Sequence, residues 1–478
     1  MNPNENKSSC SSEIDASLRL PLLAIFGGAA VWLIVGLVLG LMAGITFHAP
    51  EFFAACPLLT YGRLAPAAND AILYGFAIPA GLGVMLWVFS RLSQMPLALP
   101  LVPVVAVNLW YLGVTVGVGG ILIGESTGQL WLEFPRAAAV LMLAAFILIA
   151  VSAAATFGWR KDRSLYPSHW FLFAALFWFP WIYSTANLLL NSFWLPRGVV
   201  QPVIAWWFGN NLVFVWLTLV GIGIAFYFLP KISGKPLASS GYALLAFLTL
   251  VFFGTWCGIP AGAPVPAWLP RASAFASLLT VIPILAIAIV TLKTVRGAGV
   301  ACMGGPFCFV KLGVAFFVLS GLMYLAQACP QYSRVLEFTW FGFAQTQLQL
   351  LGFFALIIFG AVYEILPKAT GMALPFPKLA KFHFFITAGG ALLLVGALAF
   401  GGVEQGIALA NDKISFANAS AMALKCFRIA STGQLLILIG ALIFALNIFV
   451  MTIKWKFALI KTLVAAVKAP LPGAEVKA

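Results

Sequence analysis

Histidine is nearly absent from this chain: 478 residues include three, His48, His169 and His383. Each falls at the end of an apolar segment, so none reaches the middle of the bundle those segments form. A centre built there from several imidazoles is excluded. Charge is equally scarce. Asp, Glu, Lys and Arg make up 8% of the residues and hydrophobic side chains 63%, which excludes a soluble globular domain of this length. No C-x-x-C-H sequence occurs, so covalent attachment of a c-type haem is excluded as well. The linkers between apolar segments are too short to hold a second domain.

What fills the chain instead is a series of runs of 18 or more apolar residues, each long enough to cross a bilayer as a helix. Twelve are expected, over 19–44, 70–93, 97–123, 136–158, 169–192, 205–229, 239–260, 271–292, 306–328, 338–367, 382–403 and 432–455. The fold class is therefore an all-α integral membrane protein, a twelve-transmembrane-helix bundle. A polar N-terminal segment (1–18) precedes the single membrane domain (19–455), and a basic tail (456–478) follows it; both ends are expected to be mobile. The first apolar run carries a polar leader and ends in no small-x-small pattern, so it reads as an anchored helix and not a cleavable signal peptide.

The net charge of +14 is mainly a topology signal. With both termini placed inside, 19 of the 27 Lys and Arg residues gather on the inner side, and most acids, Asp70, Glu133 and Glu337 among them, fall outside. The basic residues are spread over six loops and the tail, which argues against a nucleic-acid partner and allows some attraction to anionic headgroups. The seven cysteines give no framework: Cys257 lies within the membrane, Cys302 and Cys308 near the inner side, and Cys56, Cys329 and Cys426 toward the outside, where one disulfide is conceivable. Free thiols in apolar packing are the plainer expectation.

Four stretches carry a resemblance. They are LTYGRLAPAANDAILYGF (Leu59–Phe76), AWWFGNNLVFVWLTLVGIGIAFYFLPK (Ala205–Lys231), GTWCGIPAG with PVPAW (Gly254–Trp268) and QTQLQLLGFFALIIFGAVYEILPK (Gln345–Lys368). WLEFPR (Trp131–Arg136), LFWFPWIYSTANLLL (Leu176–Leu190) and KFHFF (Lys381–Phe385) add smaller matches. In order and over the whole length, these resemble subunit I of the haem–copper oxidases, specifically the cbb3 type. The resemblance implies a bacterial cytoplasmic membrane with both termini inside, and membrane-anchored c-type cytochrome subunits or a catalytic paralogue as partners.

That family holds its metals with histidines on the second, sixth and tenth helices and after the seventh. At the matching positions this chain has Ala68 on the second, Asn210 on the sixth, Gln345 and Gln347 on the tenth, and Pro260 and Ala261 after the seventh. The family's tyrosine position is Gly254. Residues two apart on a helix project ~200° from each other, so Gln345 and Gln347 keep the geometry of two ligands on opposite faces. They do not keep the chemistry, because an amide is a poor donor to iron or copper and alanine offers none. The expectation is a cofactor-free subunit, without haem b or copper, in which lipid or quinone takes some of the space. The buried amides Asn210, Asn211, Gln345, Gln347 and Gln349 are then expected to bond one another across the sixth, seventh and tenth helices, since an unpaired amide in a membrane is costly.

Smaller expectations concern individual charges. Glu364 precedes Lys368 by four residues and should pair with it; Glu133 should pair with Arg136 or a neighbouring loop. The histidines should anchor or cap helix ends. Three functions remain open: a docking subunit of a membrane respiratory complex, a proton- or ion-conducting subunit, and a working cytochrome c oxidase or nitric oxide reductase with unusual ligands.

Overall fold

Apolar side chains all round a helix suit a helix surrounded by lipid and by other helices, and long helices are what this chain forms. The computed structural model describes residues 3–191, 198–299 and 304–468. The long helices, in order, are α1 (Pro3–His48), α2 (Tyr61–Ser93), α3 (Leu101–Ile123), α4 (Arg136–Gly158), α5 (Pro167–Asn191), α6 (Val200–Ser233), α7 (Ser240–Gly254), α8 (Trp268–Val295), α9 (Pro306–Ala328), α10 (Trp340–Thr370), α11 (Pro377–Leu409) and α12 (Leu424–Lys468). Short helical turns lie at Pro57–Leu59, Pro330–Leu336 and Phe416–Met422, and no strand occurs among the described residues.

Among the described residues eleven helices are long and apolar enough to cross a membrane; α7, at 15 residues, is shorter. The chain leaves helix at Thr255 and turns at Gly258, whose φ of +99° suits glycine. A Cβ there would stand 2.4 Å from that of Asn210, so the turn also lies hard against α6. Two further bounds differ from the hydropathy reading. α1 begins at Pro3, within the leader expected to be mobile, and α12 runs to Lys468. Most consequentially, α2 starts at Tyr61, nine residues before the apolar run, because Thr60 is extended and the polar stretch after it turns straight into helix. That moves Ala68, Asn69 and Asp70 from a helix entrance into the bundle.

Three helices form the centre. The apolar windows of α2 and α6 are wholly buried and that of α10 is 89% buried, whereas those of α3, α4, α5 and α11 are 39–56% buried and face lipid with the rest. Lipid is as apolar as leucine, so close packing and interhelical hydrogen bonds hold such helices together. Gly81 lets the Phe354 ring and Val220 approach α2, and Gly221 admits Phe353 against α6. Tryptophan and tyrosine tips find carbonyls of neighbouring helices: Trp110 donates to Tyr74 O at 2.7 Å, Trp216 to Ala175 O at 3.0 Å and Tyr111 to Ile25 O at 2.6 Å. At the end of the bundle where α1 begins, Asp15 accepts from Arg91 at 2.5 Å and from the Trp87 indole at 3.2 Å. Glu364 and Lys368 pair at 2.5 Å, as their spacing predicts.

Each central helix widens into a π-helical turn, over Ala71–Ala77 in α2, Asn211–Trp216 in α6 and Leu348–Phe354 in α10. These turns begin immediately after Asp70, Asn210 and Gln347. Such widenings gather at functional sites because they re-aim the side chains beside them. Cys308 is disulfide-bonded, which corrects the free-thiol expectation at that position, while Cys56, Cys257, Cys329 and Cys426 are free.

Candidate functional site

The widened turns aim polar side chains into two pockets, on opposite faces of α10. The first is a cavity of about 280 Å³ among α1, α2, α10, α11 and α12. Ala68 and Gln347 both line it, together with Asn69, and Gln347 Nε2 donates to Asn69 Oδ1 over a long 3.4 Å. Gly40, Gly44, Ala65 and Ala430 keep the walls thin, and Tyr61, Trp340, Phe343 and Phe427 supply aromatic surface.

Behind this cavity stands a pair of acids. Asp70, fully buried on α2, faces Glu133, which lines the cavity from the loop before α4. The two carboxyls hydrogen-bond each other, a contact that needs a shared proton, and beyond it neither Asp70 oxygen nor Glu133 Oε2 has a donor. Loss of water pushes the Glu133 carboxyl up to about 7. The loop is stitched into place: Thr127 N–H donates to Glu133 O at 3.1 Å, Thr127 Oγ1 to Leu132 O at 2.7 Å, and the Tyr74 hydroxyl to Trp131 O at 2.5 Å. Trp131 is held at φ +66°, a conformation that a bulky residue keeps only when its surroundings impose it. This arrangement corrects two expectations from sequence. Asp70 is interior, not part of an outer loop, and the group set against Glu133 is another acid.

The second pocket lies among α6, α8, α9, α10 and the loop after α7, as adjoining spaces of about 170 and 360 Å³. Asn210 and Gln345 line the smaller space; Pro260, Ala261 and Gln345 line the larger. Its amides are engaged except at Gln349 Oε1, which is buried without a partner. Asn210 Nδ2 donates to Gly254 O at 2.8 Å, and Asn210 Oδ1 accepts from the Tyr324 hydroxyl at 2.8 Å. The Tyr324 ring stacks on Phe214 with centroids 4.5 Å apart. Gln345 Nε2 donates to Ser320 Oγ at 2.9 Å and Gln349 Nε2 to Thr218 Oγ1 at 3.1 Å. Asn211 donates to Trp207 O at 2.9 Å and accepts from the Trp178 indole at 3.2 Å. The backbone N–H of Ala261 donates to the Glu337 carboxylate at 3.0 and 3.2 Å, fixing the loop after α7.

The amides are therefore paired, but not with one another as the sequence suggested. Their partners are hydroxyls, backbone carbonyls, the Trp178 indole and, for Gln347, the Asn69 amide, and α9 contributes Ser320 and Tyr324, which no motif had marked. The signal was a serine and a tyrosine four residues apart on a largely apolar helix, a spacing that puts both on one face.

The donors at these positions do not fit iron or copper. Ala68 presents a methyl group, Pro260 and Ala261 present no side-chain donor, and both ends of the Asn210 amide are committed to protein partners. Among the described residues no three His, Cys, Asp or Glu side chains are grouped to hold a metal ion. The histidines lie elsewhere. His48 closes α1 near Ser431 Oγ, at 3.5 Å, and His169 Nδ1 accepts the Tyr166 N–H at 3.1 Å, capping the first turn of α5. His383 is fully enclosed, with Nδ1 2.9 Å from the Tyr363 hydroxyl and Phe309, Phe359 and Phe444 around its ring. It is a core residue of α11 and not the interfacial anchor that its position in the sequence suggested.

Known proteins share this architecture. The Cytochrome C and Quinol oxidase polypeptide I family matches residues 21–443. A cytochrome c oxidase subunit 1 homolog of Azorhizobium caulinodans is 25% identical over 446 residues, covering 90% of this chain and 80% of that protein. The cbb3-type cytochrome c oxidase subunit CcoN1 of Stutzerimonas stutzeri is 24% identical over 387 residues, covering 79% and 81%. A haem–copper terminal oxidase dimer solved by electron cryo-microscopy superposes with a TM-score of 0.74 at 15% identity, covering 91% of this chain and 84% of that one. The long helices in this order and the match over nearly the whole chain have one reading: the chain belongs to the Cytochrome C and Quinol oxidase polypeptide I family, the subunit I family of the haem–copper oxidases.

Proposed function

We propose that this chain is a cofactor-free, non-catalytic relative of the cbb3-type subunit I, serving as a structural and docking subunit of a membrane respiratory complex. The observation that carries this reading is the Asn210 amide. At a position where the family places a copper ligand, both of its ends are taken up by Gly254 O and Tyr324, so the site is organised around hydrogen bonds and not around a metal. The scaffold keeps lipid-facing sides on α3, α4, α5 and α11 on which membrane-anchored c-type cytochrome subunits, or a catalytic paralogue, would pack in the bacterial cytoplasmic membrane with both termini inside. Electrons would then pass through those neighbours.

The names of the relatives favour a second reading, a working oxidase. It would require iron and copper to take amides and backbone groups in place of imidazole, against their ligand preferences. A reduced-minus-oxidised optical spectrum decides between the two, together with haem extraction and copper analysis on the gently purified subunit and whatever co-purifies. The expected result is no b-type haem and no copper assignable to this chain. One stoichiometric haem or copper bound to it would overturn the proposal.

A further inference from the structure

The cavity beside Ala68 has a chemistry of its own. Its lining residues include one carboxyl, Glu133, and no Lys, Arg or His. Glu133 is more than nine-tenths buried and its carboxyl is hydrogen-bonded to that of fully buried Asp70 behind it; beyond that contact neither Glu133 Oε2 nor either Asp70 oxygen has a donor. Buried acceptors short of donors are costly, the more so where charge is involved. Two carboxyls in contact can share one proton and then carry a single negative charge, which one monovalent cation would balance.

The other walls select the kind of cation. Tyr61, Trp340, Phe343 and Phe427 line the cavity. The Trp340 ring is braced edge-on by Phe427 at 4.4 Å and by Phe343 at 5.9 Å, and Phe47 links it to Tyr61 at 5.2 and 5.3 Å. Aromatic faces attract weakly hydrated organic cations, the recognition mode of quaternary ammonium cages. A metal ion instead asks for a shell of oxygens, which these walls do not supply. A volume of about 280 Å³ far exceeds the ≈ 30 Å³ share of one water and suits a small substituted ammonium. The imposed backbone at Trp131 and the stitched loop after Thr127 hold Glu133 at the cavity wall whether or not anything is bound.

We propose that this cavity binds a substituted ammonium ion, its charge against the Glu133–Asp70 pair and its alkyl groups against Tyr61, Trp340, Phe343 and Phe427. The inference rests on the cofactor-free reading above. The ammonium is either a free amine or the headgroup of a choline lipid, since the recognising chemistry is the same.

Ligand-observed saturation-transfer NMR on the full chain in dodecyl maltoside tests it, with choline and its neutral carbon isostere 3,3-dimethylbutan-1-ol as probes and the haem content of the same preparation measured beforehand. Choline should bind saturably and on the order of tenfold or more tighter than the isostere. Glu133→Gln and Asp70→Asn should each weaken choline by a similar factor without lowering the thermal midpoint. Affinity should fall from pH 8 to pH 6 as protons compete at Glu133. In nanodiscs, displacement of choline by phosphatidylcholine but not by phosphatidylglycerol supports a lipid source, and displacement by neither supports a free amine. Equal binding of choline and the isostere, an unaltered affinity in Glu133→Gln, or displacement of choline by micromolar calcium would each overturn the proposal. Stoichiometric haem in the preparation would overturn the cofactor-free reading and this inference together; a haem-free protein indifferent to choline would sink this inference alone.

Discussion

The two pockets beside α10 have been finished differently. Around Asn210 the polar groups are closed by bonds of 2.8–2.9 Å to Gly254, Tyr324 and Ser320. Around Ala68 the Gln347–Asn69 bond is 3.4 Å, the Gln434–Leu37 bond is 3.5 Å, and three acid oxygens have no donor beyond the contact of the two carboxyls with each other. A membrane bundle can satisfy an interior polar site within itself or leave it for something else to satisfy. The first solution gives rigidity; the second keeps a binding capacity at a cost in stability. Both occur here on opposite faces of one helix, set by residues two positions apart.

The largest effect should follow from opening the closed pocket. Asn210→Leu removes a donor to Gly254 O and an acceptor for the Tyr324 hydroxyl, leaving Gly254 O with the Cys257 N–H at 3.3 Å and the Tyr324 hydroxyl with Ser277 Oγ at 3.4 Å, both long bonds. The expected loss is roughly 2–4 kcal/mol, read as a clear drop in the thermal midpoint of the detergent-solubilised protein. Tyr324→Phe should cost about half as much. The double variant should cost less than the two singles added, because both act on the same bond. Full additivity would mean that Asn210 and Tyr324 are not coupled and that the pocket is held by packing alone.

The acid pair should make the open side sensitive to pH. The folded-state value of Glu133, about 7, lies above its ordinary 4.5, so the folded protein holds a proton that the unfolded chain has released. Stability is then greatest below about pH 4.5 and falls as pH rises through about 7, by at most roughly 3 kcal/mol. Glu133→Gln should flatten that slope, whereas Asn210→Leu should leave it unchanged. A slope that survives Glu133→Gln would place the titrating group elsewhere.

How far sequence reached differs between the pockets for the same reason that the pockets differ. The helices followed from hydropathy, and the motifs led to Ala68, Asn210, Gln345 and Gln347, because both signals lie in runs of neighbouring residues. The structure then brought Ala68 and Gln347 to one cavity and Asn210, Gln345, Pro260 and Ala261 to the other. Partners from distant segments were not legible. Tyr324 reaches Asn210 from 114 residues away, and Asp70 meets Glu133 only because α2 begins at Tyr61. Hydropathy put the start of that helix at residue 70, since the polar turn before it lowers the apolar average without weakening the helix. His383 was misplaced by the same averaging: α11 begins at Pro377, so His383 sits a turn and a half inside it.

The smallest effect is the one that most sharpens the comparison. Gln347→Leu shortens the side chain by one bond and removes an amide whose bond to Asn69 is at the limit of hydrogen-bond geometry. Asn69 also lines the cavity, so the oxygen it frees faces open space and not a sealed wall. The cost should stay below about 1 kcal/mol, a small fraction of that of Asn210→Leu although both replace an amide at a position where the family has histidine. Measured side by side, the two leucine variants separate a pocket sealed by its amides from one merely lined by them. Equal losses would mean that Gln347 clasps α10 to α2 as firmly as Asn210 holds α6, and the cavity would then be an incidental gap in a fully braced bundle.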